Sequence, residues 1–455
     1  MKLKNLGTAV GVLLASFMLN ALAGHCVRFG VAWFVLHKTG SSALFAAILA
    51  ATSFVEAYSK PVLAPLADYF DRYKTYRNSI ALTSGTSVLL WLVAFYGEFS
   101  VSLLVFLLVV QSLLAALREP AGASLLPSLV APEHLTQAQS VRSAASSIVT
   151  IGGPVVGAAL VAAIGSAGAI FTGAVVCLLS AVGLLGLGKR LLPMAPSQAR
   201  WRVYFKTWHL RTLDGLRAVW LTPVERKACL ATALFNAGVF PFMALVVPVW
   251  AASIPGGSAS LMAVMEVGLG AGLLCGSLFF LAQANKRFGK YKTVLIGIGL
   301  SGTALFSAAW VNHVIASVAL VFLLGLGVAL YNVNVMTLRS LASPPLFRAR
   351  LLAGAGLFSS CLHPLVIGPM GVVIERAGLP AATMICGGLI LCGLVVSLAN
   401  RDSQKLMATP DDELSGVYAK LYPGAFVDSS AAAKPAVADA TPEVRLEGLV
   451  KPRSR

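Results

Sequence analysis

The sequence predicts an all-α membrane protein of twelve transmembrane helices arranged as two six-helix repeats, and three observations carry the prediction. Of 455 residues, 57% are hydrophobic and only 12% charged, with a mean hydropathy of +0.82. Soluble folds carry about 25% charged residues, so a water-soluble enzyme or a nucleic-acid-binding protein is excluded. The apolar residues come in runs of about 20, the length that crosses a hydrocarbon core of about 30 Å. Finally, landmarks of the first half recur in the same order in the second.

Taken in chain order, the first six runs cover 7–36, 42–66, 78–97, 101–117, 141–164 and 169–188. The beginning, Met1-Lys2-Leu3-Lys4 before an apolar run ending Ala21-Leu22-Ala23-Gly24, also resembles a cleavable signal peptide. Removing it would leave an odd number of spans and break the repeat. A polar stretch over 189–227 follows, in which Trp201, Tyr204, Phe205, Trp208, Leu213, Leu216 and Trp220 alternate with basic residues at near-helical spacing. This pattern predicts an amphipathic helix on the inner leaflet; a solvated linker is the alternative. Six further runs cover 228–252, 260–284, 293–311, 314–338, 351–374 and 379–399. The chain then turns polar, and residues 400–455, with Asp411-Asp412-Glu413 and an alanine- and proline-rich stretch, read as a disordered tail.

The formal charge of +17 is read as topology rather than as a polyanion partner. Lys2 and Lys4, Arg72 to Arg77, the 189–227 loop, Lys286 to Lys292, and Arg339, Arg348 and Arg350 all fall on one side, against only Lys38 and Arg376 opposite. Such a bias places that side, with both termini, in the cytoplasm of a bacterial inner membrane. Seven cysteines lie in apolar runs with no CxxC pair, so neither a disulfide framework nor a metal site is suggested.

The repeat has a shift of about 215 residues. Phe70-Asp71-Arg72-Tyr73-Lys74 after the second run matches Phe288-Gly289-Lys290-Tyr291-Lys292 after the eighth. Gly153-Pro154-Val155-Val156-Gly157 matches Gly368-Pro369-Met370-Gly371, and Glu56 matches Glu266. Two parallel halves with substrate held at the midplane between them form a recurring transporter architecture.

Ala64-Pro65-Leu66-Ala67-Asp68-Tyr69-Phe70-Asp71-Arg72-Tyr73-Lys74 resembles the G-x-L-A-D-R-x-G-R-K signature of the major facilitator superfamily. Asp68, at a helix end, can cap a neighbouring helix and accept charge-assisted bonds from arginine. The resemblance implies a conformational latch at Asp68 and Arg72. Ala64 and Asp71 replace the two glycines of that signature. Pro120 to Pro127, then Leu129-Val130-Ala131-Pro132-Glu133 with Leu135 and Ala138, is similar to a segment of the branch holding macrolide efflux proteins and the enterobactin exporter. Asp214-Gly215-Leu216-Arg217 and Thr39-Gly40-Ser41 fit the same branch. Gly122 stands where that branch has arginine, and Arg118 is the candidate substitute partner for Asp68. Gly152-Gly153-Pro154-Val155-Val156-Gly157 resembles the glycine-proline signature of facilitator antiporters, which implies export. A packing kink is the plainer reading.

Ionisable groups within a membrane are costly and mark candidate sites. His25 and Arg28 share one helix face, as do Glu56 and Lys60. Counting from the outer ends sets His25, Arg28 and Glu56 at similar depth, so an ion pair or a static packing bridge can form there. Glu266 has no evident sequence partner and is the sharper proton-site candidate, the alternative being that it faces a watery vestibule. His363 and Asn236 are further cavity candidates that could equally bridge helices. Gly183 to Lys189 imitates a phosphate-binding loop, but Arg190 replaces the required Ser or Thr and the stretch is a helix end. No enzyme, cofactor or metal chemistry is expected.

The expectation is a monomeric, proton-driven exporter of a drug-like or siderophore-like small molecule, acting by alternating access in the lipid bilayer. The alternatives are a lysophospholipid or lipid flippase of the same fold, and a non-transporting receptor or scaffold docking through its tail.

Overall fold

A computed structural model of the chain describes residues 7–69, 71–96, 100–129, 135–186, 201–253, 259–311, 313–344, 347–410 and 413–427. Four helices open it: α1 (Gly7–Thr39), α2 (Ser42–Tyr69), α3 (Arg72–Tyr96) and α4 (Val101–Leu129). The helical run α5 (Leu135–Leu185) and the shorter α6 (Trp201–Leu221) follow. The second half begins with α7 (Pro223–Pro241), which continues through a wide turn at Phe242–Val246 into α8 (Val247–Ser253). Pro241 brings no N–H to the ladder, and the helix widens directly after it. Next come α9 (Ala259–Cys275), a second wide turn at Gly276–Phe280, α10 (Leu281–Phe288), α11 (Lys290–Ala308) and α12 (Val314–Ala342). The chain ends on α13 (Arg348–Ser360), α14 (His363–Leu398), α15 (Arg401–Ala408) and α16 (Val417–Leu421).

Ten helical runs among the described residues are long and apolar enough to cross a membrane. Two of them turn back on themselves, which brings the crossings to the twelve that the sequence predicts. In α5 the reversal is Gly165, at φ 74°; in the run ending with α14 it is Gly378, at φ 80°. Only glycine takes up such a φ without strain. Gly157 and Gly173, on opposite sides of Gly165, lie against one stretch of α1. A Cβ on either would sit 2.9 Å from a carbonyl oxygen, that of His25 and of Ala23 respectively. The chain therefore folds back between them, and α1 is clasped by both arms.

Packing without a hydrophobic drive between helices depends on close approach of small residues. At the α9–α12 crossing a Cβ on Gly272 would overlap the Phe322 carbonyl oxygen, and one on Gly325 the Leu269 carbonyl oxygen. The two backbones touch, and no larger residue fits at either place.

The tail departs from expectation. Residues 401–410 and 413–427 fold against the second half, burying Leu406, Met407, Leu414, Tyr418 and Ala425. Averaged composition hides these anchors, which are few but spaced to reach one surface. Residues 428–455 lie outside the described part. α12 also runs further than its apolar stretch suggests. It carries Arg339 inside the helix, 4% exposed, rather than in a loop.

Candidate functional site

The site is built from charged groups that the helices bring to the boundary between the halves. α9 packs against α5, and α8 against α1. α9 carries Glu266, 6% exposed, and α1 carries Arg28 on an exposed face. The two form no direct ion pair. Glu56, the sequence counterpart of Glu266, is half-buried on α2.

His25 is placed differently from Arg28. Its ring lies against Gly153 of α5, where an added Cβ would overlap it, and Gly157 sits beside Phe29 one turn on. Gly153 and Gly157 thus let α1 approach α5, with Pro154 between them inside the helix. In the second half Gly368, next to Pro369, makes ordinary contact with Ala50 of α2, while Gly371 presses on Ala46 and Ala43. Both glycine-proline stretches are therefore contact surfaces, one within the first half and one between the halves.

At the end of the bundle holding the α1–α2 connection the halves are tied by Glu375 of α14. Its Oε1 accepts the Ser41 hydroxyl at 2.7 Å and the Ala43 backbone N–H at 2.9 Å. Ser42 donates to the Gly371 carbonyl at 3.2 Å. A carboxylate here caps the N-terminus of α2 from the opposite half, meeting donors that the helix itself cannot satisfy. The Tyr58 hydroxyl donates to the Cys361 carbonyl at 3.1 Å, in the break between α13 and α14.

A second charged centre lies wholly inside the second half. Glu225, in the first turn of α7 and 2% exposed, accepts Arg339 Nε from α12 at 2.7 Å and the Tyr418 hydroxyl from α16 at 2.9 Å. The Arg339 Nη2 reaches Cys229 Sγ at 3.4 Å. Burial, and then the carboxylate beside it, hold the Tyr418 phenol well above its ordinary range, so it stays a donor. Beyond it, Gly416 donates to the Leu341 carbonyl at 3.1 Å, and Phe426 meets Phe347 edge-on at 5.6 Å.

The remaining sequence candidates separate. Asn236 donates to the Ser359 carbonyl at 2.9 Å, bridging α7 to α13. The His363 ring packs on Phe240 at 5.0 Å. Arg118 donates to Thr83 at 3.1 Å on α3, so that guanidinium serves the α3–α4 contact. Arg72 is half-buried in the first turn of α3. The side chains of Lys60 and Asp68 lie outside the described part. Gly122, the departure from arginine, fits between Phe17 and Tyr76, whose rings are 5.3 Å apart; a Cβ would lie 2.7 Å from Phe17.

Sequence reasoning missed Glu225, Arg339, Tyr418 and Glu375. The first sits in a stretch read as polar linker and the second was counted as loop charge. The available signal for Glu225 was Thr222-Pro223, a helix start with an acid in its first turn.

Known proteins agree with this architecture. Macrolide efflux protein A of Streptococcus pyogenes is 23% identical over 397 residues, covering 84% of this chain and 93% of its own. The uncharacterized MFS-type transporter YkuC of Bacillus subtilis (strain 168) is 26% identical over 287 residues, 60% of this chain and 64% of its own. An auto-inhibited POT family peptide transporter superposes with a TM-score of 0.67 at 14% identity, covering 88% of this chain and 97% of that one. The nucleoside transporter NupG gives 0.63 at 13% identity, covering 86% and 100%. With twelve crossings, two halves meeting at a charged boundary, and residues 9–362 matching the family profile, the chain belongs to the Major Facilitator Superfamily and is a membrane transporter rather than an enzyme.

Proposed function

We propose that the transporter is a proton-driven exporter of a drug-like or siderophore-like molecule, working as a monomer by alternating access in a bacterial inner membrane with both termini in the cytoplasm. The observation that supports the reading is Glu266, a buried acid on α9 where the second half packs on α5 of the first, with Arg28 carried by α1 of that first half. A carboxyl in low dielectric keeps or loses its proton according to the charge brought near it. Rocking one half against the other changes the distance from Arg28 to Glu266, so protonation and conformation become linked through differential stability of the two states. The Glu375 bonds support closure at the α1–α2 end, which the basic-residue bias sets outside; the reading then has the central pocket open inward. Asp68 and Arg72 are assigned the opposite latch, closing the inner end in the outward-facing state.

The test is efflux from proteoliposomes under an imposed pH gradient. Glu266→Gln is expected to abolish acceleration by the gradient while leaving binding and downhill exchange of substrate measurable. Unchanged coupling in both Glu266→Gln and Glu56→Gln refutes the assignment.

A further inference from the structure

α6 and α13 meet backbone to backbone. A Cβ on Gly354 would lie 2.7 Å from the Gly215 carbonyl oxygen, and one on Gly215 would overlap that of Arg350. Asp214 of α6, 4% exposed, is 3.7 Å from Arg350 of α13, and its charge is countered there. This contact occupies one face of α6, where Asp214, Gly215, Ala218 and Val219 are buried. The side chains beyond the contact splay apart and leave a cleft of about 530 Å³, lined by Leu210, Leu213, Leu216, Trp220 and Phe358, with Asp214 and Arg217. Trp220 is 56% exposed and stacks at 6.3 Å on Phe358. Arg226 lies over the Trp220 ring, 5.3 Å from its centroid, and Arg217 stands exposed on the same helix face three residues before it.

We infer that this cleft is a binding site for an anionic phospholipid, with an acyl chain along Leu213, Trp220 and Phe358 and the phosphate between Arg217 and Arg226. Three features select that ligand. The wall is apolar, which a free phosphate or a soluble anion would not use. The one acid in the lining is already matched by Arg350, so the two exposed guanidiniums leave the rim cationic. An indole at the junction of apolar and charged surfaces is the usual anchor at the membrane interface, and basic pockets between helices on the cytoplasmic side take acidic lipid headgroups. The inference rests on the placement of α6 at the inner leaflet, not on proton coupling. Because α6 is fixed to α13 through Gly215 and Gly354, a lipid seated in the cleft braces the helix that ends at the α13–α14 break.

The experiment is native mass spectrometry of the full chain from mild detergent, titrated with phosphatidylglycerol or phosphatidylcholine. Wild type is expected to retain phosphatidylglycerol at least fivefold better than phosphatidylcholine, and Arg217→Gln/Arg226→Gln to lose that preference. Trp220→Ala is expected to weaken retention of both lipids. Thermal unfolding in lipid-free detergent should be the same for wild type and the double variant, which separates binding from folding. Equal retention of the two lipids by wild type, or undiminished phosphatidylglycerol preference in the double variant, overturns the site. So does displacement of the lipid by a transported substrate, since the cleft would then belong to the transport route. None of these readouts measures flux, so the efflux reading stands or falls separately.

Discussion

Arg339→Met tests whether the buried centre at Glu225 holds the second half together. In the wild type the Glu225 carboxylate is met by Arg339 Nε at 2.7 Å and by the Tyr418 hydroxyl at 2.9 Å, with both charged side chains under 5% exposed. Methionine fills similar space but removes the counter-charge, leaving a carboxylate held by the Tyr418 hydroxyl and a weak Cys229 thiol contact at 3.9 Å in an apolar setting. Breaking one partner of a buried ion pair costs about 3–5 kcal/mol. At about 1.4 kcal/mol per tenfold, that is a shift of roughly a hundredfold to a few thousandfold toward unfolding. The sulfur contacts Arg339 makes, to Cys229 at 3.4 Å and Met336 at 3.7 Å, are weak and add little to the loss. Tyr418→Phe removes only the second bond, a hydrogen bond to a charged acceptor, and is expected to cost about 1.5–3 kcal/mol.

The decisive comparison is a third variant, Glu225→Leu/Arg339→Met/Tyr418→Phe, which removes the carboxylate, the guanidinium and the phenol of the centre at once. Apolar replacement of a buried pair is often neutral or stabilising, so this variant should be more stable than Arg339→Met alone. The assay is reversible unfolding in mixed micelles of rising denaturing-detergent fraction, followed by far-UV circular dichroism. A single variant within about 1 kcal/mol of wild type would mean that Glu225 finds water when Arg339 leaves. A triple variant as unstable as the single one would refute the desolvation argument.

Glu375→Ala removes the acceptor that ties Ser41 and Ala43 to the opposite half. Ala46 is fully buried under Gly371, so an Ala46→Cys probe should be labelled by a polar thiol reagent several times faster in the Glu375→Ala background; an unchanged rate would mean that Glu375 does not hold this end closed. Truncation after Asn400 strips Tyr418 and the buried Leu406, Met407 and Leu414 from the second half. It should lower the unfolding temperature by more than Tyr418→Phe does, and equal values would show that the apolar anchors contribute nothing.

How much of this was legible in the sequence depends on which physical signal each feature leaves. The crossings are legible because each needs its own apolar run, and the two pairs that share a continuous helical run are still separable at Gly165 and Gly378. Glu266 was legible because a lone acid in an apolar run stands out. Its place at the boundary was not, since α9 meets α5 only through the packing of the halves. His25 and Arg28 share a helix face by spacing, yet Gly153 admits the His25 ring into the α1–α5 contact while Arg28 stays exposed. Glu225 and Arg339 are 114 residues apart, and nothing local in either stretch announces the other. Tyr418 was hidden by its neighbours, because a window average over an acidic, alanine-rich tail dilutes one buried phenol.

The charge bias itself deserves a finer division than a count by side. Arg339 and Arg350 add to the sum on the basic side, but Glu225 and Asp214 oppose them at contact distance, so they exert little field on the lipid surface. Arg217 and Arg226 remain exposed and do exert it. The paired charges have another consequence. Glu225 joins α7, α12 and α16, Arg350 joins α13 to α6, and Phe426 joins the tail to Phe347 ahead of α13. These ties make α6 and the tail parts of the second half, not a free linker and a free end. Relative motion of the halves then falls on the contacts between them, at the Glu375 bonds and where α9 packs on α5. On the proposed reading, proton uptake at Glu266 acts at the α9–α5 contact, which none of these ties crosses.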